Sequence, residues 1–331
     1  MEKINLDDNS RYVKRLHSRV MRKRRIQLVL FTVVAAAVLV WVSVGVFNTL
    51  KHFRMPPFKF GQTMPVKKKK AAKRTFVIIG VDQRDYEQYV SGATLLVYDP
   101  VEKTASGLAF KKDIRLQIPG YGLDTLEKSL FAGLDSALAS ITNVTGIKAD
   151  KYIMVDSGDY GVAKPTIQKI FTRVLKSNLS EKEQLAMVKK FKALDASDIN
   201  VLEAPTKKVS IGAQPYEQLK KQELNRLIRV LWDLQKPLKR TKVIVLNGVG
   251  TGGLAGKVAL KLIKGGYEVI DVKNANGFNY KKTLIITYSQ AMQKKALAMQ
   301  KLLGYGNIML ELDKQGLTDM TVIVGKDYKK F

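Results

Sequence analysis

The feature that most constrains this 331-residue chain is the stretch Leu28–Phe47, LVLFTVVAAAVLVWVSVGVF, which holds twenty residues without a charge. Thr32 and Ser43 are its only polar side chains. As a helix rising 1.5 Å per residue it reaches about 30 Å, the thickness of a bilayer's hydrocarbon core. A soluble amphipathic helix keeps a polar face, and this segment has none. A cleaved signal peptide carries a shorter apolar run and then a small-residue cleavage site, whereas Trp41 and Phe47 lie here and Lys51, His52 and Phe53 follow. The pattern predicts an uncleaved transmembrane helix over residues 26–48, a cytoplasmic tail over 1–25 and a linker over 49–74.

Basic residues near a span stay on the cytoplasmic side. Residues 11–25 hold eight of them: Arg11, Lys14, Arg15, Arg19, Arg22, Lys23, Arg24 and Arg25. The fifteen residues after Phe47 hold three, which predicts an inside N-terminus and extracytoplasmic residues 48–331. The net charge of +28 suggests a nucleic-acid binder until its distribution is read. Residues 1–74 carry 18 Lys and Arg against 3 acids, 75–240 carry 25 against 20, and 241–331 carry 14 against 6. More than half of the excess therefore flanks the apolar segment, and no nucleic-acid partner is expected. The run Lys67–Lys70 belongs to the linker, with contact to anionic lipid or polymer as its functional alternative. Cysteine is absent and the two histidines, His17 and His52, lie in the N-terminal part, which excludes disulfides, thiolate chemistry and a Ser-His-Asp triad in the folded region.

After the linker, Thr75–Val81 is a near-continuous apolar run of the kind found in strands buried on both faces. Ala93–Tyr98 and Thr104–Phe110 are further strand candidates joined at Asp99-Pro100. Asp124 and Glu127 have capping-box spacing. Leu126, Leu130, Leu134, Leu138, Ile141 and Val144 then mark a helical stripe, interrupted near Gly133. Lys151–Val155 returns to strand character, with helices expected near 166–175 and 181–193. Alternating strands and helices predict an α/β layered domain over 75–235.

The order of FVIIGVDQR, the Asp99-Pro100 turn, Lys112-Asp113, IPGYG at 118–122 and TGIKADKYIMVD at 145–156 resembles the LytR-CpsA-Psr domain. That resemblance implies a membrane-anchored enzyme that moves phosphate-linked glycopolymer from a polyprenyl-pyrophosphate carrier to peptidoglycan. It also implies two acids holding Mg2+ against the pyrophosphate, with arginines neutralising the transferring group. Asp82 matches the first acid, and Ser91 stands where the second is due. The family's Pro-Arg-Asp reads Lys111-Lys112-Asp113 here, which exchanges a planar guanidinium for a point charge, and Arg115 lies two residues on. Between Asp156 and the next helix only Ser157–Pro165 intervene, where the family inserts a long substrate arm. Asp82, Lys112, Asp113 and Arg115 are thus the candidate, vestigial site, with Asp82 the one metal candidate. The expectation is a degenerate domain without a resident cofactor. It binds envelope polymer or a protein partner; an active transferase and a membrane-bound transcription regulator are the alternatives.

From Thr241 a second domain begins, with strands near 242–247, 267–272, 283–288, 308–312 and 320–324 and helices near 253–263 and 290–303. This order predicts a small α+β sandwich over 241–331. Gly248, Gly250 and Gly253 satisfy GxGxxG, and Asp271 falls about twenty residues on, which is the spacing of a dinucleotide fingerprint. A sharp strand-to-helix turn needs the same glycines without any ligand, so the alternatives at this loop are a structural turn and a weak anion site. VIVLNG, the glycine turn, Gly266-Tyr267, Thr283–Tyr288 and VIVGKD resemble the C-terminal domain attached to LytR-CpsA-Psr proteins, which carries no catalytic role. The sequons at Asn143 and Asn178 occur at chance frequency and receive no assignment.

Overall fold

The computed structural model describes Trp41 and residues 72–161, 164–211, 214–312 and 318–328. The expected transmembrane helix, the cytoplasmic tail and nearly all of the linker lie outside the described residues. Among the described residues, no helix is long and apolar enough to cross a membrane. The described residues from 72 to 328 form one compact unit.

Strands β1 (Arg74–Arg84) and β2 (Glu87–Asp99) form a long antiparallel hairpin. Its two-residue turn holds Asp85 and Tyr86 at φ 47° and 67°, left-handed values that match the twist of the flanking strands. β3 (Thr104–Lys111), β4 (Ile114–Ile118) and β5 (Gly122–Thr125) follow. A 3-10 helix over Leu126–Ala132 stops at Gly133, φ 92°, and α1 (Leu134–Thr145) resumes, so the helical stripe breaks where the leucine spacing predicted. β6 (Lys151–Asp156) then pairs parallel to β1. The chain continues through α2 (Lys164–Lys169), β7 (Lys176–Ser177), α3 (Glu181–Lys192), β8 (Ile199–Glu203), β9 (Thr206–Ile211), β10 (Gln214–Leu219) and α4 (Lys221–Leu231).

These strands make a six-stranded sheet in the order β7-β6-β1-β2-β3-β8 and a four-stranded sheet in the order β5-β4-β10-β9. β1 is buried on both faces, as its unbroken apolar run requires. Val77, Ile79 and Val81 pack with Leu116 of β4, Ile141 of α1 and Ile228 of α4. Phe76 and Ile78 face the opposite way, toward Ile167, Phe171, Met187 and Phe191. The first domain is therefore an α/β layered structure, as expected. The second sheet was not anticipated, because short strands of mixed polarity such as Thr206–Ile211 show no clean alternation.

The capping box expected at Asp124 and Glu127 does not form. Asp124 is paired in β5, opposite Leu116, and its carboxylate accepts from the Thr125 N–H and binds Lys128 at 3.1 Å, while Glu127 turns toward basic side chains. A capping box does close α3, where the Ser180 and Glu183 side chains satisfy each other's backbone N–H groups.

The second domain contains β11 (Lys242–Asn247), α5 (Leu254–Lys264), β12 (Glu268–Asn274), β13 (Leu284–Thr287), α6 (Gln293–Leu303), β14 (Asn307–Leu310) and β15 (Met320–Val324), the predicted order of elements. Its sheet runs β12-β11-β15-β13-β14. β11 pairs parallel to β12 and β15, β13 pairs parallel to β14, and β13 with β15 is the antiparallel junction. Helices α5 and α6 share one core on one face, with Val258, Leu262, Met299 and Leu303 against Val243, Val245 and Val322. The expected small domain of strands and helices is thus a two-layer one, a mixed sheet with both helices on one face, in which each strand-helix-strand crossover returns its second strand parallel to the first.

The two domains dock through α1. Ala139 enters the core of the second domain. Asn143, 4% exposed, donates from Nδ2 to the Val269 carbonyl at 2.7 Å and accepts the Val269 N–H on Oδ1 at 2.9 Å. One side-chain amide thereby stands in for a neighbouring strand along the outer edge of β12. Helix α5 meanwhile rests on the turn after β4: a Cβ placed on Gly256 falls 2.4 Å from Gly120 Cα, so only glycine allows this approach. Lys264 and Asp135 close the seam at 2.8 Å.

Candidate functional site

The candidate site lies at the hairpin end of β1 and β2. Register shifts between Gly80, opposite Gly92, and Val81, opposite Val90, so Ser91 is the extra residue of a bulge. Its hydroxyl is buried and has no hydrogen-bond partner. The position at which the family resemblance calls for an acid thus holds a small group turned into the sheet.

Two of the four candidate side chains are brought together there. The Asp82 carboxylate accepts from Arg84 Nε at 2.6 Å, Arg84 Nη1 reaches Glu127 Oε1 at 3.0 Å, and Lys112 Nζ meets the same Glu127 oxygen at 3.5 Å. Donating hydrogen bonds to Asp82 and then to Glu127 raises the Arg84 guanidinium above its usual range. Its face also lies over the Tyr89 ring, 4.9 Å from the centroid. These side chains are partly exposed and screened by solvent, so the pairs add little to stability and their importance is positional. Arg84 had no assigned role in the sequence reading, and Glu127 had only that of a helix cap. The i, i+2 spacing of Asp82 and Arg84 on one strand was the available signal, whereas Glu127 is 43 residues from Arg84 and was legible only as a cap.

Arg115 and Asp113 stand apart from this group. Arg115 packs over Tyr216 at 5.0 Å from the ring centroid and lines a cavity between the two domains. The Asp113 side chain is exposed, and its carbonyl accepts from the Glu217 N–H at 3.1 Å. The residues present do not fit the Mg2+ ion that the resemblance implies. The Asp82 and Glu127 carboxylates are both held by the Arg84 guanidinium, so the charge a cation would balance is balanced by a side chain. Among the described residues, no three of His, Asp and Glu gather as a metal site.

Tyr160 and an aromatic cluster fill the sheet face behind this group. A Cβ placed on Gly80 falls 2.4 Å from Tyr160 Cγ, and one on Gly92 falls 2.6 Å from its Cε1. The two glycines thus make a floor on which the Tyr160 ring lies. Its hydroxyl pairs with Thr94 Oγ1 at 3.0 Å, and burial pushes the phenol up to about 12. Farther along, Phe76 meets Phe171 edge-on at 5.5 Å, Phe171 meets Phe191 at 4.6 Å, and Tyr98 meets Phe191 at 5.5 Å.

At the glycine loop of the second domain, three backbone donors are engaged internally. The Gly248 N–H donates to the Val324 carbonyl at 3.0 Å, and the Val249 and Gly250 N–H groups donate to Asn247 Oδ1 at 3.2 and 3.0 Å. Phe278 packs on Gly250, and Gly253 takes the left-handed conformation at the start of α5. Gly120 and Gly122 of the first domain close in beside Gly253, leaving a cavity of about 200 Å³.

Residues 240–328 match the family model described as LytR cell envelope-related transcriptional attenuator, which bears out the resemblance read in the second domain. No curated protein matches the chain in sequence. Solved structures similar to part of it include TagV of Bacillus subtilis, at 15% identity over 50% of this chain and 97% of that one, TM-score 0.40. Also similar are the LytR-CPS2A-psr family protein YwtF (TagT) with bound octaprenyl pyrophosphate lipid, at 15% identity over 50% and 90%, TM-score 0.40, and a transcriptional regulator of Enterococcus faecalis, at 12% identity over 49% and 87%, TM-score 0.40.

Proposed function

We propose that this chain is a membrane-anchored, extracytoplasmic protein of cell-envelope assembly whose first domain binds an envelope glycopolymer or a protein partner without transferring phosphate. The observation that carries the reading is the Arg84 guanidinium bound to both Asp82 and Glu127. Phosphoryl transfer from a pyrophosphate carrier is catalysed by positioning and charge stabilisation. An arginine locked between two carboxylates offers a lipid pyrophosphate little net positive charge. Tyr160 lying on Gly80 and Gly92 supports the same reading, because its ring takes space beside the site. The envelope setting is supported by the match over residues 240–328, and anchorage by the apolar segment and its basic flank.

The test is a transfer assay on the full chain in detergent, with a polyprenyl-pyrophosphate-linked sugar, peptidoglycan acceptor and Mg2+, read as phosphosugar on the acceptor and release of polyprenyl phosphate. No turnover is expected, together with cosedimentation of the protein with purified cell walls. Turnover abolished by Asp82→Ala would restore the transferase reading. Protease shaving of intact cells tests placement: a second domain that stays protected once the outer layers are opened overturns the extracytoplasmic assignment.

A further inference from the structure

A cavity of about 490 Å³ lies between the domains rather than at the candidate site. Its wall combines Arg115 and Lys221 of the first domain, Arg240 of the connecting segment, and Lys242 and Glu268 of the second. Four cationic side chains thus face one carboxylate. Glu268 is shared by Lys221 at 3.3 Å and Arg240 at 3.7 Å, which leaves a surplus of positive charge around a concave space.

The two arginines are held in place but only lightly occupied. Arg115 makes one long hydrogen bond, to the Leu123 carbonyl at 3.4 Å, and is fixed by stacking on Tyr216. The Arg240 side chain is 14% exposed and lies against Gly146, at the C-terminal end of α1, where a Cβ would fall 2.8 Å from its Nε. Burial pulls this guanidinium below its usual range, and Glu268 opposes that only in part. A guanidinium has five N–H donors, and a buried one is costly to leave without acceptors. Gln117 adds to the deficit: it lines the same wall, is 7% exposed, and its Nε2 is buried with no partner.

We propose that this interdomain cavity binds a phosphate-bearing ligand of about sugar size, its phosphoryl oxygens taken by Arg115 and Arg240. Phosphate rather than carboxylate follows from the charge, because a phosphomonoester brings about −1.5 to −2 at pH 7 to a wall with three cations in excess. The planar guanidinium forks suit its oxygens in bidentate fashion. The remaining wall, with Gln218 and Asn225 beside Leu116 and Leu224, suits a hydroxylated body that is polar at its edge and apolar on its face. Because the wall draws on both domains, the ligand would also tie them together. This site is separate from Asp82 and Arg84 and stands whether or not the first domain binds polymer.

The test is calorimetric titration of the full chain in non-ionic detergent with glucose 1-phosphate, glucuronate, glucose and inorganic phosphate. Glucose 1-phosphate is expected to bind more tightly than glucuronate or inorganic phosphate, with no heat from glucose. Arg115→Gln and Arg240→Gln are each expected to weaken it about ten-fold or more, the loss for a charge-assisted hydrogen bond. Lys242→Gln, a change at an exposed side chain that leaves folding intact, is expected to weaken it by a smaller factor and to lower its salt dependence. Absence of binding by the parent chain overturns the proposal, as does glucuronate binding more tightly than glucose 1-phosphate, or affinity unchanged in Lys242→Gln and Arg115→Gln.

Discussion

Asn143→Ala removes two hydrogen bonds that join the domains without touching any apolar contact of comparable size. Each bond contributes about 0.5–1.5 kcal/mol net, and a buried backbone group left without a partner costs about 1–3 kcal/mol. Val269 is 1% exposed, and its N–H and C=O both point away from β11 toward the Asn143 amide. The expected loss is therefore about 2–4 kcal/mol. The most direct measurement is amide hydrogen exchange in residues 69–331, where the Val269 N–H should change from protected to fast while the amides between β11 and β15 stay protected. Urea unfolding should show the domain seam opening earlier. Asn143→Asp refines the test, because it keeps an acceptor for the Val269 N–H but sets a carboxylate oxygen against the Val269 carbonyl. That variant should become more stable as pH falls through the carboxylate range, when a protonated oxygen can donate, whereas the parent protein should not. A loss below about 0.5 kcal/mol with unchanged Val269 exchange would refute the reasoning, and so would an Asn143→Asp variant without this pH response.

Gly256→Ala should destabilise by about 1–3 kcal/mol in thermal or urea unfolding, although helix propensity alone favours alanine by about 1 kcal/mol, because its Cβ meets the Gly120 backbone. Tyr160→Ala should cost about 3 kcal/mol by emptying the floor made by Gly80 and Gly92, and Tyr160→Phe about 1 kcal/mol by stranding Thr94; an unfolding series separates the two. Ultraviolet titration should find two tyrosines, Tyr160 and Tyr305, ionising near 12, and only one in Tyr160→Phe. Since folding keeps the Tyr160 proton on, the contribution to stability is complete below the ordinary 10 and is lost as pH rises toward 12. Glu183 is held down at about 2 by the Ser180 N–H first, then by Lys151 and the Ser180 hydroxyl. Its contribution is complete above about 4.5 and disappears as pH falls to about 2; NMR titration checks the value, and Glu183→Gln should remove that limb of the acid profile.

How much was legible from residues alone varied with the range of the interaction. The apolar run of β1, the leucine stripe with its break at Gly133 and the seven elements of the second domain were read in advance, because each expresses a local period or a local steric demand. The same local logic failed at Asp124 and Glu127, where capping spacing was present but long-range partners drew both side chains elsewhere. It also missed β9 and β10, whose faces carry no clear alternation. Of the candidate site residues, Asp82 and Lys112 share one hydrogen-bonded network. Their connecting residue, Arg84, went unassigned, and Arg115 turned out to face the seam between the domains.

Local sequence determined the long buried strands, the periodic helices and the serine at position 91, since periodicity, glycine placement and residue identity act over a few positions. Tertiary structure alone decided what fills the space near that missing acid and how the two domains meet. Tyr160 reaches Gly80 and Gly92 across the sheet, and Asn143 reaches Val269 over 126 positions. Asn178, the other sequon asparagine, accepts the Tyr152 N–H at 2.8 Å in the same manner, one side-chain amide completing a strand edge. The composition of an asparagine says that it can pair with backbone; only the packed fold brings an unpaired strand edge to it.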